Sequence, residues 1–158
     1  MFRALFLGGN ITSGCEPGWH RAGTSCFLFY LSSTFKWSDA RRLCHQSNAD
    51  LAVAKDASTM DALANRRREL KFDTPVGFYL GLTGQFNWVW IDGQVVSNKH
   101  NLWGPREPSG DGKCGSFLNA IRWSSNWVGY GWRWNDQSCN SVKGYICEQP
   151  FGMVSKDT

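Results

Sequence analysis

Phe78-Tyr79-Leu80-Gly81-Leu82 and Trp88-Val89-Trp90-Ile91-Asp92-Gly93 decide the fold class. The first is a short apolar run and the second alternates before an Asp-Gly turn, so both read as strands. Upstream the texture differs. Thr34 to Ser47 places Trp37, Ala40, Leu43 and Cys44 on one helical face, and Ser58 to Leu70 does the same with Met60, Leu63 and Ala64. Downstream, Gly144-Tyr145-Ile146-Cys147-Glu148 reads as a last strand returning into the sheet. Helices first and strands afterwards predict an α+β domain.

Composition bounds this reading. The chain has 158 residues, enough for one domain with one sizeable core. Charged residues make up 19% and aromatic residues 15%, with nine Trp, which excludes the charge-rich, apolar-poor class that stays disordered. The formal net charge is +4, and the basic residues are scattered apart from Arg66-Arg67-Arg68, expected on a solvated helix face. Nothing here points to nucleic acid as a partner. No apolar run approaches the length that spans a bilayer.

Six cysteines stand at 15, 26, 44, 114, 139 and 147, with no Cys-x-x-Cys pair of the zinc or thioredoxin kind. An even count at wide spacing predicts disulfides. Fifteen connectivities are possible by arithmetic alone. Disulfides persist in oxidising compartments, so a secreted or extracellular location is expected, and the sequon Asn10-Ile11-Thr12 fits a glycoprotein. Met1-Phe2-Arg3 and the short run Ala4 to Leu7 resemble the start of a signal peptide, although the run is shorter than a normal apolar core. Residues 1–13 and 150–158 are read as tails around a domain at 14–149.

Ser97 to Lys113 shows little periodicity and holds three Gly and two Pro, so a long irregular loop is expected, of the kind that carries function. It contains Glu107-Pro108-Ser109, and after Cys114 comes Trp134-Asn135-Asp136. Glu107, Ser109, Asn135 and Asp136 offer only oxygen donors of the type a calcium ion collects, six to eight at a time. Each half has a plainer reading, since Asn and Asp also favour turns. The joint occurrence, with a cysteine close by, favours calcium. Glu107 and Asp136 also resemble a glycosidase pair, but an acid-base pair needs one carboxyl kept protonated, whereas metal coordination keeps both ionised. A binder is therefore expected rather than an enzyme.

The chain resembles a C-type lectin domain from Cys15 to Glu148. The matching pieces are Cys15-x-x-Gly18-Trp19, Cys26, Trp37-x-x-Ala40-x-x-Leu43-Cys44, Leu51-Ala52, Leu80-Gly81-Leu82, Trp88-x-Trp90-x-Asp92-Gly93, Trp103, Glu107-Pro108-Ser109, Cys114-Gly115, Trp134-Asn135-Asp136-x-x-Cys139 and Tyr145-Ile146-Cys147-Glu148. The resemblance implies two helices packed on small antiparallel sheets with a long irregular loop region. It implies the disulfides Cys15–Cys26, Cys44–Cys147 and Cys114–Cys139, and a cis peptide bond before Pro108. It also implies Ca2+ at Glu107, Ser109, Asn135 and Asp136, with these side chains hydrogen-bonding the sugar hydroxyls that the ion holds.

The triplet Glu-Pro-Ser keeps the acceptor-then-donor order of the mannose type, because ionised Glu107 only accepts while Ser109 also donates. Equatorial 3- and 4-hydroxyls are expected, on glycan termini. Weak single sites imply a homo-oligomer for avidity. The alternative is a calcium-independent protein-recognition domain, since fold does not fix function.

Three departures from the family pattern follow. An acidic ligand expected two residues before Cys114 is replaced by Gly112, which leaves Asp111 as the substitute metal ligand. The stretch from Gly81 to Trp88 lacks the acidic residues of an auxiliary calcium site. Finally, the segment from Cys114 to Trp134 is long and aromatic, and Trp127 and Trp132 are candidates to stack on a sugar, with core packing as the plainer use of such rings.

Overall fold

The computed structural model describes residues 14–70, 77–84, 86–97, 102–119 and 131–152. The chain runs through β1 (His20–Ala22), β2 (Ser25–Phe35), α1 (Trp37–Gln46), β3 (Asp50–Leu51), α2 (Ala57–Glu69), β4 (Gly77–Gly84), β5 (Trp88–Trp90), β6 (Cys114–Asn119), β7 (Trp132–Gln137) and β8 (Lys143–Pro150). The α+β class is as expected. Trp127 and the sequon at Asn10 lie outside the described residues.

Small antiparallel sheets were expected, and the described strands join into one mixed sheet in the order β1-β2-β8-β4-β6-β7, with β3 on β8 and β5 on β4. The joining element is β8. It pairs antiparallel with β2 and β3 and parallel with β4, where Phe78 faces Gly144 and Tyr79 faces Tyr145. Strands buried on both faces read as continuous apolar runs rather than alternating ones, and β4 fits: its first six residues are all buried.

The first helix begins at Trp37, later than its apolar face alone predicts, because Thr34 and Phe35 still belong to β2 and Phe35 pairs with Lys143. The second helix begins at Ala57, capped by Asp56, whose carboxylate accepts the Thr59 N–H at 2.8 Å. That bond satisfies one of the four donors a helix start leaves open. The arginine triplet is only partly the solvated face expected. Arg67 is buried, with its guanidinium 5.6 Å from the centre of the Phe78 ring.

Cys15–Cys26, Cys44–Cys147 and Cys114–Cys139 are the three disulfides, as the resemblance implies. The second ties α1 to β8 across 103 residues of sequence, and closing a loop of that size contributes about 4 to 5 kcal/mol in the chain-entropy description.

Trp134 organises the core beneath the loop region. It is 1% exposed, its indole N–H donates to the Ala54 carbonyl at 3.0 Å, and the rings of Trp90 and Trp103 meet it edge-on at 5.4 and 5.7 Å. Truncating a buried ring of this kind costs roughly 3 to 5 kcal/mol. Trp134 thereby fixes the strand on which Asn135 and Asp136 follow.

Candidate functional site

The loop carrying Glu107 is strapped to β7 at two levels. At the first, Trp134 N–H donates to Leu102 O at 2.8 Å and Gly104 N–H donates to Trp134 O at 2.9 Å, which makes a parallel bridge between Trp103 and Trp134. At the second, the Asp136 carboxylate accepts three bonds: Ser109 N–H at 2.7 Å and Ser109 O–H at 3.1 Å on one oxygen, and Gly110 N–H at 2.8 Å on the other. The Glu107–Pro108 peptide bond between these levels is cis.

Glu107, Ser109 and Asp136 are thus brought together across 27 positions of sequence, and the Glu107 carboxylate itself accepts Ser109 N–H at 3.0 Å. Asn135 is next to them on β7, 7% exposed, with its amide nitrogen donating to Asp136 O at 2.8 Å. The four residues named from sequence therefore form one neighbourhood. Asp111 does not join it as a third acid: among the described residues no three His, Cys, Asp or Glu side chains form a metal-holding group. Asp111 is exposed, and its charge reaches both Glu107 and Lys143.

Gly112 shows why the family's acidic residue is missing here. A Cβ at that position would lie 1.7 Å from the Gln137 carbonyl carbon, so the loop lies flush against the end of β7 and only glycine fits. No side chain can project from position 112.

Trp132 packs against its neighbours on the sheet. Its ring stacks on Phe117 at 4.2 Å and 10° and also meets Phe78, and it sits four residues before Asp136 along β7. The ring is spent on the core edge, the commoner use of tryptophan. Asp136, expected to meet both ion and sugar, lies deeper. It is 0% exposed beneath the Ser109–Gly110 backbone, which it holds in place.

The two acids differ in proton affinity. Burial and the neighbouring Asp136 carboxylate push Glu107 up to about 8, with Asp111 adding to the effect. Burial also acts on Asp136, but hydrogen bonds from the Glu107 carboxyl, from the Ser109 and Gly110 N–H groups and from the Ser109 hydroxyl outweigh it and hold the acid below its usual range. The two carboxyls are therefore unlike, Glu107 the weaker acid and Asp136 the stronger. A glycosidase shows such a split too, yet here the ionised partner is buried and committed to three donors, which leaves no open base.

Sequence reasoning missed Gly110, whose N–H secures Asp136 and whose φ of 87° suits only glycine. A Gly two residues after the cis proline, before a further Gly, was the available signal.

The lectin C-type domain model matches residues 33–149. The chain belongs to the C-type lectin domain family. The human protein C-type lectin domain family 6 member A is 28% identical over 139 residues, which cover 85% of this chain and 60% of that protein. Among solved structures, a complex of SPL-1 with GlcNAc superposes with a TM-score of 0.71 at 29% identity, over 85% of this chain and 94% of that one. A herring type II antifreeze protein shares the fold with a TM-score of 0.65 at 24% identity, over 86% of this chain and 98% of that one. C-type lectin domains are binding modules, so this one is a binder and not an enzyme. Among the described residues no helix is long and apolar enough to cross a membrane.

Proposed function

We propose that this C-type lectin domain is a calcium-dependent carbohydrate-binding lectin that prefers mannose-type sugars with equatorial 3- and 4-hydroxyls. The observation that carries the reading is the convergence of the Glu107 and Asp136 carboxyls, two like charges that the fold holds on the same Ser109 N–H at 3.0 and 2.7 Å. A divalent ion satisfies such a pair better than a proton does, because both carboxylates then ionise against a positive centre. When bound, Ca2+ would supply that centre and accept two neighbouring sugar hydroxyls.

Glu107, Ser109, Asn135 and Asp136 fit an oxygen-liking ion. The Asn135 amide nitrogen is committed to Asp136 O at 2.8 Å, which leaves the amide oxygen as the free acceptor for the ion. Glu107 then accepts from one sugar hydroxyl, and Ser109 donates to another once its hydroxyl turns away from Asp136, whose charge the ion takes over. With two carboxylates rather than three, and Asp111 acting only as a nearby charge, the site binds calcium weakly, at about 10⁻⁴ to 10⁻³ M, a range suited to extracellular modules. The three disulfides favour a secreted or extracellular setting, and assembly into a homo-oligomer supplies avidity.

One observation favours a calcium-independent protein-recognition domain instead. The Ser109 and Gly110 backbone donors already satisfy Asp136, so the loop keeps its shape on protein hydrogen bonds alone. Titration calorimetry on EGTA-stripped protein decides between the two. Heat on adding calcium, and on adding methyl α-mannoside only with calcium present, is the expected result. Silence in both titrations sinks the lectin reading.

A further inference from the structure

Two Asp-Gly steps occur in the chain, Asp92–Gly93 and Asp111–Gly112. A glycine after aspartate leaves the next main-chain nitrogen unshielded by a Cβ, so each step can close on itself when that nitrogen reaches the aspartate Cγ. The fold treats the two oppositely. Gly93 N–H donates to Trp90 O at 2.8 Å, and the Asp92 carboxylate accepts Gln94 N–H at 3.1 Å and pairs with Lys55. Both reacting groups of that step are committed. Asp111 stands exposed; among the described residues its carboxylate takes no hydrogen bond and no ion pair, and Gly112 N–H donates to nothing.

From this we infer that Asp111–Gly112 is a site of spontaneous isomerisation, a modification that the fold permits here and withholds at Asp92. The Gly112 nitrogen attacks Asp111 Cγ, an N–Cγ bond forms, and a carboxyl oxygen leaves as water, taking the amide hydrogen and one proton from solvent. Water then adds at the Asp111 main-chain carbonyl carbon and breaks its bond to the Gly112 nitrogen. The product is an isoaspartyl linkage. Its main chain runs through Cβ and Cγ of residue 111 and is one atom longer, and the α-carboxylate hangs free. Residue 111 lies between two anchors. Gly110 N–H holds the Asp136 carboxylate at 2.8 Å, and Gly112 lies flush against Gln137, where even a Cβ would come within 1.7 Å of the carbonyl carbon. One extra main-chain atom between those fixed points lifts one of them, so isomerisation loosens the loop that Asp136 holds. The inference does not depend on what the neighbouring site binds.

The test ages the disulfide-bonded protein in EGTA at neutral pH and body temperature for weeks, then maps its peptides by chromatography and mass spectrometry, which separate the two linkages at equal mass. Isoaspartate at residue 111 is expected at about tenfold the level at residue 92, the factor that one committed hydrogen bond imposes. The same ageing in guanidinium, where neither step is held, brings the two levels together. The aged protein is expected to melt about 5 °C lower in EGTA, the shift for one charge-assisted bond lost in a domain of this size. Asp111→Glu, whose longer side chain closes a ring far more slowly, shows neither change. Equal levels at residues 92 and 111 in the folded protein, or a bias that persists in guanidinium, overturn the inference. Conversion at residue 111 with an unchanged melting temperature overturns its consequence for the loop.

Discussion

Glu107 and Glu148 are both partly buried carboxyls, and burial raises the proton affinity of both. Their surroundings are opposite. Glu148 accepts Ser25 O–H at 2.6 Å on one oxygen and Val53 N–H at 2.7 Å on the other. It is an acid among donors, tying β8 to β2 and to the strand exit before α2. Glu107 accepts one N–H and otherwise faces the Asp136 carboxylate. A buried acid with donors explains itself as structure, whereas two acids set against each other need something positive from outside. The contrast supports the proposal that the Glu107 end is the binding end.

Exchanging the two acids in turn is the sharpest way to break that comparison. Glu107→Gln keeps the shape and removes the charge, so calcium affinity is expected to fall at least 100-fold while the melting temperature in EGTA holds or rises. Glu148→Gln is expected to do the reverse, lowering the melting temperature at every calcium concentration and leaving calcium affinity within threefold. Calorimetry and thermal melts on both variants read this out, and similar profiles for the two would dissolve the distinction.

Restoring the family's acidic residue is the next largest test. Gly112→Glu is expected to destabilise the domain by about 3 kcal/mol or more, because its Cβ meets the Gln137 backbone. Urea unfolding measures this, and a variant that melts normally and binds calcium more tightly would show that the loop can lift away.

A third effect is pH dependence. The Glu107 acid is raised from 4.5 to about 8, so the folded state holds its proton more firmly than the unfolded chain does. Metal-free stability should therefore fall as pH climbs from about 4.5 to about 8. Asp136 acts in another window, since its lowered value matters only as pH drops through 3.8 and below. Melts in EGTA at pH 5, 6.5 and 8 should slope downward for the wild type and flatten for Glu107→Gln. Calcium binding at pH 6.5 should also release close to one proton, visible as a buffer-dependent heat.

The smallest expected effect is that of Asp111→Asn, under threefold on calcium affinity, because this exposed acid contributes charge from nearby rather than a ligand atom. A tenfold loss would return Asp111 to the ligand set.

Much of this was legible in the chain before any coordinates. The apolar faces of Trp37, Ala40 and Cys44 and of Met60 and Leu63 located both helices, and the runs at Phe78 and Trp88 located two strands. β2 was not read, because Phe27 to Leu31 is an unbroken apolar run that periodicity cannot assign to strand or helix. The parallel pairing of β4 with β8 was also invisible, since it depends on neighbours more than 60 residues apart in sequence. At the site, residue chemistry picked out Glu107, Ser109, Asn135 and Asp136. What stayed hidden was contact: that Gly112 lies against Gln137 and that Trp132 stacks on Phe117.

On the lectin reading, the double strap between Trp134, Asp136 and the 102–110 segment divides responsibility for recognition. Asn135 and Asp136 ride on a strand whose tryptophan is bolted to the core, while Glu107 and Ser109 ride on a turn leaning on that strand through main-chain atoms and one carboxylate. Residues 107 and 109 can therefore be exchanged to suit a different glycan without disturbing the foundation, and a library randomised at those two positions alone should yield folded proteins with altered taste.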